Sequence, residues 1–533
     1  MTLFARHVAP ALFVSACCAP SASAAGEVQY RTVAVTGQTA PGAGGKPYVG
    51  FERPSIDGTG RIVFGGRYDP GTFPYRGGMW VDVAGQKQLV GLEGDAAPGG
   101  TFTGFHYANP QAGGSIVFGA FLENQVYGQF IAAPNGSLTR LIANGDPAPG
   151  MPPDAVFGGV PTYSPTFGGG VHAFDGYVTG GGTTDGDHEG LWAGTPGDIR
   201  LLARARHQAP GAPAGVVFTY NPSVSGPALG PPRVDRLGNV TFHGNLSGEG
   251  VDHFNDDGIW HGTKDGVRMV VRSGAAAPDS GGSVFLSTGM QVGAANGRIA
   301  FNAGITPKGF VFGGPVVQSG DPVPTPEPAI YAGPPDALRL IARATDIAPG
   351  TEQQYRNFLG FAMNAAGDVV FNGGPGLFVS RGGVVSPVMT EGMRAPGTPE
   401  GVLFNNPLFA SINNLGQIAF DAHVQGPDVE DFDTRGIWVT DGGGSLHLIA
   451  REGELFDVGD GDLRLIDDLE MWTYTNAGED GTPTAFNDLG QLAFRAMFKD
   501  GTEGVFVATV PEPGAALAIM LTVPALFRRR RRR

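Results

Sequence analysis

The residues best suited to chemistry are carboxylates paired on short polar stretches. Asp185 and Asp187, Asp256 and Asp257, Asp431 and Asp433, and Asp460 and Asp462 stand one or two positions apart. Carboxylates so spaced can collect Ca²⁺, which takes roughly six to eight oxygen ligands. None of the four stretches matches the twelve-residue EF-hand pattern. The same composition also suits a solvated hairpin turn. These eight aspartates are the candidates for a metal site, and Ca²⁺ is the one cofactor the sequence raises.

Covalent catalysis finds no footing. There is no Gly-x-Ser-x-Gly and no His-Glu-x-x-His, and the 10 histidines share no repeat position. The only cysteines, Cys17 and Cys18, fall in a segment that reads as a removable leader. The mature chain would then have no disulfide, thiolate metal site or cysteine nucleophile. Carboxylates gathered at the centre of a fold from distant positions would still permit a glycan hydrolase or lyase.

The chain carries a formal charge of −15, and Arg528 to Arg533 supply six of its cations. Without them the body is more acidic still, which argues against nucleic acid as a partner. With 88 Gly and 43 Pro among 533 residues the composition approaches low complexity. However, 41% of residues are hydrophobic, and they come in short alternating runs between turn signals. That pattern predicts an all-β protein with many tight turns.

Those runs repeat. Asn413 to Ala422 (NNLGQIAFDA) returns as Asn487 to Ala496 (NDLGQLAFRA). Aligned on the glycine and the Phe four residues later, eight copies appear: Gly60/Phe64, Gly114/Phe118, Gly170/Phe174, Gly238/Phe242, Gly297/Phe301, Gly367/Phe371, Gly416/Phe420 and Gly490/Phe494. Two residues before Phe the slot is apolar, except for His172 in the third copy; two residues after it stands Gly or Ala. A period of two puts these positions on one face of a strand, and the small residue implies close packing there.

A second strand follows, marked by an aromatic that includes Trp80, Trp192, Trp260 and Trp438, four of the five tryptophans. In the fifth copy Tyr331 takes that place after a proline-rich insertion. Within that insertion, Pro326-Glu327-Pro328 reads as loop. A third strand runs into an Ala-Pro-Gly turn, as at Ala148 to Gly150 and Ala395 to Gly397. Pro fixes φ and Gly accepts positive φ, so a tight turn is expected. A short fourth stretch leads to the next glycine.

Units of three or four strands suit the blades of a single β-propeller of about eight blades, spanning residues 25–509. The segment Val28 to Ala34 is a third strand without its predecessors, and the last copy lacks that strand. Val28 to Ala34 is therefore expected to pair with Gly504 to Val510. Such closure removes exposed sheet edges.

Residues 1–24 read as a signal peptide. Arg6 and His7 precede an apolar run, and Ala22-Ser23-Ala24 offers a small-x-small site for signal peptidase between Ala24 and Ala25. Val14 to Cys17 also resembles a lipobox, which would lipidate Cys17. At the other end, residues 510–533 place Pro511-Glu512-Pro513 before an apolar stretch from Gly514 to Phe527 and then arginines from Arg528, Arg529 and Arg530 onward. The stretch is short for a span, but flanking arginines can snorkel to the interface. Basic residues on its far side would keep that end cytoplasmic and the body exported.

This order of Pro-Glu-Pro, apolar helix and basic cluster resembles the PEP-CTERM sorting signal. The resemblance implies recognition by an exosortase, a membrane protease of Gram-negative bacteria that make exopolysaccharide. The body is similar to the NxxGxxxF tandem-repeat proteins of bacterial surfaces. The motif's Asn stands at Asn364, Asn413 and Asn487 and is replaced by Asp57 and Asp235. Together these likenesses imply an inner-membrane intermediate, then a cell-surface, outer-envelope or matrix location. The expected role is non-catalytic, with extracellular polysaccharide or surface proteins as partners and biofilm as the setting.

Overall fold

The computed structural model describes residues 27–160, 166–219, 227–307, 324–358, 360–427, 429–430, 433–472 and 478–511. They form eight antiparallel sheets, the blades of a propeller. In blade 7 the strands are Leu403–Ile412, Ile418–Gln425, Arg435–Thr440 and Leu446–Arg451, paired in that order from the axis outward. Burial follows this order. The second strand of blade 2, Ile116–Leu122, is buried at six of its seven positions, whereas the outer strand of blade 1, Gln86–Leu92, is mostly open.

Blade 8 is closed as its missing strand predicts. Gln29–Val35 pairs antiparallel with Glu503–Thr509, with Gln29 opposite Thr509 and Val35 opposite Gly504. The two ends of the body thus share one sheet, and the ring has no free edge at this seam.

The repeated aromatics form one trio per blade. Phe420 lies opposite Trp438 on the adjacent strand. Their rings stack at 6.1 Å and 20°. Phe404, from the inner strand, meets Trp438 edge-on at 4.8 Å and 73°. Tyr48, Phe64 and Trp80 repeat this in blade 1, and Phe285, Phe301 and Tyr331 in blade 5. Aromatic pairs favour these geometries, and burial makes each trio the anchor of its blade. Each tryptophan also fastens the preceding Ala-Pro-Gly turn. Trp80, Trp192, Trp260 and Trp438 donate Nε1–H to the carbonyls of Pro41, Pro149, Pro210 and Pro396 at 2.9–3.0 Å.

The close packing implied by the small residue after Phe comes from its own blade. A Cβ on Gly66 would come 3.3 Å from the Trp80 ring, and one on Gly244 would come 2.7 Å from Phe218. Pro326-Glu327-Pro328 is not all loop as the sequence suggests. Glu327 and Pro328 open the third strand of blade 5, Glu327–Gly333. Glu327 is buried and paired with buried Arg343. The proline-rich stretch before it lies outside the described residues, as do the signal peptide with Ala24 and Ala25, and Glu512 to Arg533. Among the described residues no helix is long and apolar enough to cross a membrane.

The Asn of the repeat ties blade to blade. Asn413 Oδ1 accepts from the backbone N–H of Leu415 and Gln417, which closes the turn before Gly416. Its Nδ2 donates to the carbonyl of Asn487 in blade 8. Asn364 donates in the same way to Asn413, and Asn487 to Asp57 in blade 1. Asp57 has no such donor, and Arg61 replaces it. Its guanidinium pairs with Asp57 and reaches the carbonyls of Gly114 and Gln111 in blade 2. Asp235 accepts the Gly297 N–H of blade 5 instead.

Candidate functional site

Each inner strand runs from its Ala-Pro-Gly turn toward its Asn-x-x-Gly turn, so the two turn types mark opposite faces of the ring. At the Asn-x-x-Gly end the axis is occupied. The segment Gly478 to Thr484 enters from blade 8 and is held by five other blades. Thr484 O accepts from Ile56 N in blade 1. Gly481 O accepts from Asn109 Nδ2 in blade 2 and Phe167 N in blade 3. Asp480 O accepts from Val234 N in blade 4. Glu479 takes Arg236 of blade 4 and Asn414 Nδ2 of blade 7. Only a segment on the axis can reach so many blades. Burial pushes the Glu479 carboxyl up from its usual range, against the pull of Asn414 and Arg236.

Beside this stopper, toward the other face, blades 8, 1 and 2 enclose a cavity of about 670 Å³. Its charged lining is Glu52, Arg53, Arg67, Glu470 and Arg495, with Trp472 and Phe105 as aromatic walls. Arg495 holds Glu470 at 2.8 Å and Glu503 at 3.0 Å. Arg53 lies 3.7 Å from Glu470, and its guanidinium sits 5.5 Å over the Trp472 ring. Gly50 leaves room for Arg67, since a Cβ there would come 2.7 Å from that guanidinium. Trp472 Nε1 is buried without a hydrogen-bond partner among the described residues. An aromatic plane beside guanidinium and carboxylate groups can stack on a sugar ring and bond its hydroxyls or acidic groups.

This site was not read from the sequence, yet one signal pointed to it. Trp472 is the fifth tryptophan, the one that falls outside the repeat position.

A second cavity, of about 490 Å³, lies at blade 3 between Phe121, Tyr127, Tyr177 and His188, with Asp175 and Glu189 in its wall. Burial pushes the Asp175 carboxyl up to about 6, and Glu189 adds to the shift. Glu189 itself accepts from Ala228 N of blade 4 at 2.6 Å.

The aspartates proposed for Ca²⁺ are scattered and mostly engaged. Asp187 accepts from Thr184 N and pairs with Arg204. Asp257 is buried on a strand, where it accepts from Thr288 N and Oγ1 of the next blade. Asp433 pairs with Lys499, and Asp462 with Arg464. Asp185 and Asp460 are exposed, Asp256 is half-buried, and Asp431 lies outside the described residues. Among the described residues no three His, Cys, Asp or Glu side chains gather to hold a metal. Asp187 and Asp462 thus make ties within their own blades, while Asp433 and Asp257 tie neighbouring blades. Asp257 in particular joins blade 4 to blade 5.

His172 is fully buried beside Phe174, with neither ring nitrogen hydrogen-bonded among the described residues. Burial pushes its imidazole down to about 3. It occupies an apolar slot as a neutral ring.

Fold and site define an eight-bladed β-propeller with a blocked axis and a charged, aromatic cavity beside it. The chain belongs to DUF7453, a family of unknown function, whose model matches residues 23–195, 168–310 and 374–517. No curated protein matches it. Among solved structures it is similar to the β-propeller domain of the Trilobed protease from Pyrococcus furiosus, at 8% identity over 78% of this chain and 99% of that one, with a TM-score of 0.39. It is also similar to an acylaminoacyl peptidase from Pyrococcus horikoshii, at 8% identity over 75% of this chain and 52% of that one, TM-score 0.36. A polysaccharide lyase of family PL25, an ulvan lyase, shares 10% identity over 76% of this chain and 91% of that one, TM-score 0.31.

Proposed function

We propose that this is an exported binding propeller, sorted by residues 510–533 through an exosortase-type protease to the envelope or matrix, where it holds extracellular polysaccharide. The observation that supports binding is the cavity between blades 8, 1 and 2, where Arg53 lies over Trp472 beside Glu470. Stacking surface, donors and acceptors there suit a saccharide better than an apolar ligand. The test is a glycan array with the wild type, Arg53→Ala and Trp472→Ala. Binding without turnover, lost in both variants, is expected. Equal binding by all three proteins would refute the site. For sorting, deletion of Val510 to Arg533 should release the body or change its location; an unchanged location would contradict this reading.

A second reading, a propeller enzyme acting on matrix glycans, is favoured by Asp175, which holds its proton to about pH 6 beside Glu189 in the blade 3 cavity. Release of reducing sugar, lost in Asp175→Asn, would establish it in place of simple binding.

A further inference from the structure

The third position of the Asn-x-x-Gly turn recurs at one height in every blade, because it belongs to the same turn of the same repeat. Its occupants are Thr59, Gly113, Gly169, Leu237, Asn296, Ala366, Leu415 and Leu489, and none is charged. Three are leucines, exposed at 61%, 59% and 50% for Leu237, Leu415 and Leu489. Leu237 lies on blade 4, beside Asp198, Lys264 and Asp265, and Leu415 and Leu489 lie on the adjacent blades 7 and 8. Their turns stand at the stopper's end of the ring, since neighbours Arg236 and Asn414 both bind Glu479. Exposed Arg236 stands next to Leu237, and exposed Arg381 donates to Gly416 O next to Leu415.

The chain leaves the ring on this same face. Val510 N donates to Gly490 O, one residue past Leu489. Pro511 follows, and the 22 residues 512–533 begin there, with 14 of them forming the apolar stretch Gly514 to Phe527. A tail that enters a bilayer from this point brings the leucine-bearing face against the lipid.

We infer that the Asn-x-x-Gly face is a membrane-contact surface. Leu237, Leu415 and Leu489 enter the interfacial layer, while Arg236 and Arg381 meet lipid phosphates. The cavity of blades 8, 1 and 2 lies toward the opposite side of the stopper and stays open to the exterior. The inference rests on the sorting role proposed above for residues 510–533, which requires the tail to enter the membrane before it is processed.

The body contains no cysteine, so single thiols can be placed at will. Leu237→Cys, Leu415→Cys and Leu489→Cys are each labelled with a fluorophore in the chain from Ala25 to Arg533. Ala214→Cys, exposed on an outer-to-inner loop of the opposite face, serves as control. The proteins are added to vesicles of phosphatidylethanolamine and phosphatidylglycerol carrying a nitroxide lipid. Co-sedimentation is read alongside quenching. Quenching at 237, 415 and 489 at least twofold above that at 214 is expected. Sedimentation with equal quenching at all four sites would overturn the contact surface and leave the anchor standing. Absence of sedimentation would overturn the anchor, and the contact surface with it. Labels at the leucine sites already shielded without vesicles would show that a second copy or the tail covers them, which also overturns the inference.

Discussion

Asn413 donates through Nδ2 to the backbone carbonyl of Asn487, 2.9 Å away and 74 positions further along the chain. One side chain thus closes its own turn and joins blade 7 to blade 8. Asn364, Asn413 and Asn487 form a run of such ties that ends on Asp57, where the last blade meets the first.

Asn413→Ala loses both roles and leaves a buried carbonyl without its donor. About 1–3 kcal/mol of destabilisation is expected in urea unfolding. Asn413→Asp keeps the turn acceptor and loses only the donor, as at Asp57, but without an arginine to replace it. It should also lower the midpoint. A midpoint equal to wild type in both variants would contradict the tie.

Trp438 combines packing with a hydrogen bond to Pro396 O at 3.0 Å. Trp438→Phe keeps most of the ring contacts and should cost about 1 kcal/mol through the lost bond. Trp438→Ala opens a cavity and should cost about 3–5 kcal/mol. Equal unfolding midpoints for the two variants would show that the bond to the turn, not the ring, is what matters.

Gly481 has a φ of +75° on the axis, and a Cβ there would lie 2.8 Å from Phe167 N and 2.9 Å from Val234 O. Gly481→Ala should therefore displace the stopper. Amide exchange at Ile56, Phe167 and Val234 should accelerate together. Unchanged protection at those three amides would show that the segment does not hold the ring.

His172 supplies a pH dependence. Its folded pKa, about 3, lies below the ordinary imidazole value of 6.5. The unfolded chain therefore binds the extra proton first, and stability falls as pH drops from about 6.5 toward 3. Near pH 5 this group should have cost about 2 kcal/mol relative to pH 7. His172→Val restores the apolar residue of the other copies. It should be more stable than wild type at pH 7 and gain further at pH 5. A stability difference that does not change with pH would refute the buried neutral ring.

Much of the fold was legible in the residues. The glycine and Phe of the repeat gave the blades, and the orphan strand near Val28 gave the closure. The tryptophans declared themselves as anchors because their spacing is local and their burial follows from period-two alternation. The role of the constant small residue was half legible. Gly66 shows that something packs closely, but only the coordinates show that it is Trp80 of the same blade. The partners of the acidic pairs were hidden for a related reason. A carboxylate beside a glycine looks like a turn in any sequence, whereas Asp257 is paired by Thr288 of the next blade.

The sequence by itself determined the repeat, a ring of about eight blades and the strand that closes it, because the order of strands is the same in every unit and a unit that lacks one strand shows what must complete it. Only the tertiary structure decided what the ring encloses. Arg53, Arg67, Phe105, Glu470 and Trp472 meet because closure brings blades 8, 1 and 2 together. Gly481 reaches the axis because the inner strands converge there. Contacts between residues several hundred positions apart leave no periodic trace. Trp472 left the one mark available to it, a large aromatic out of register.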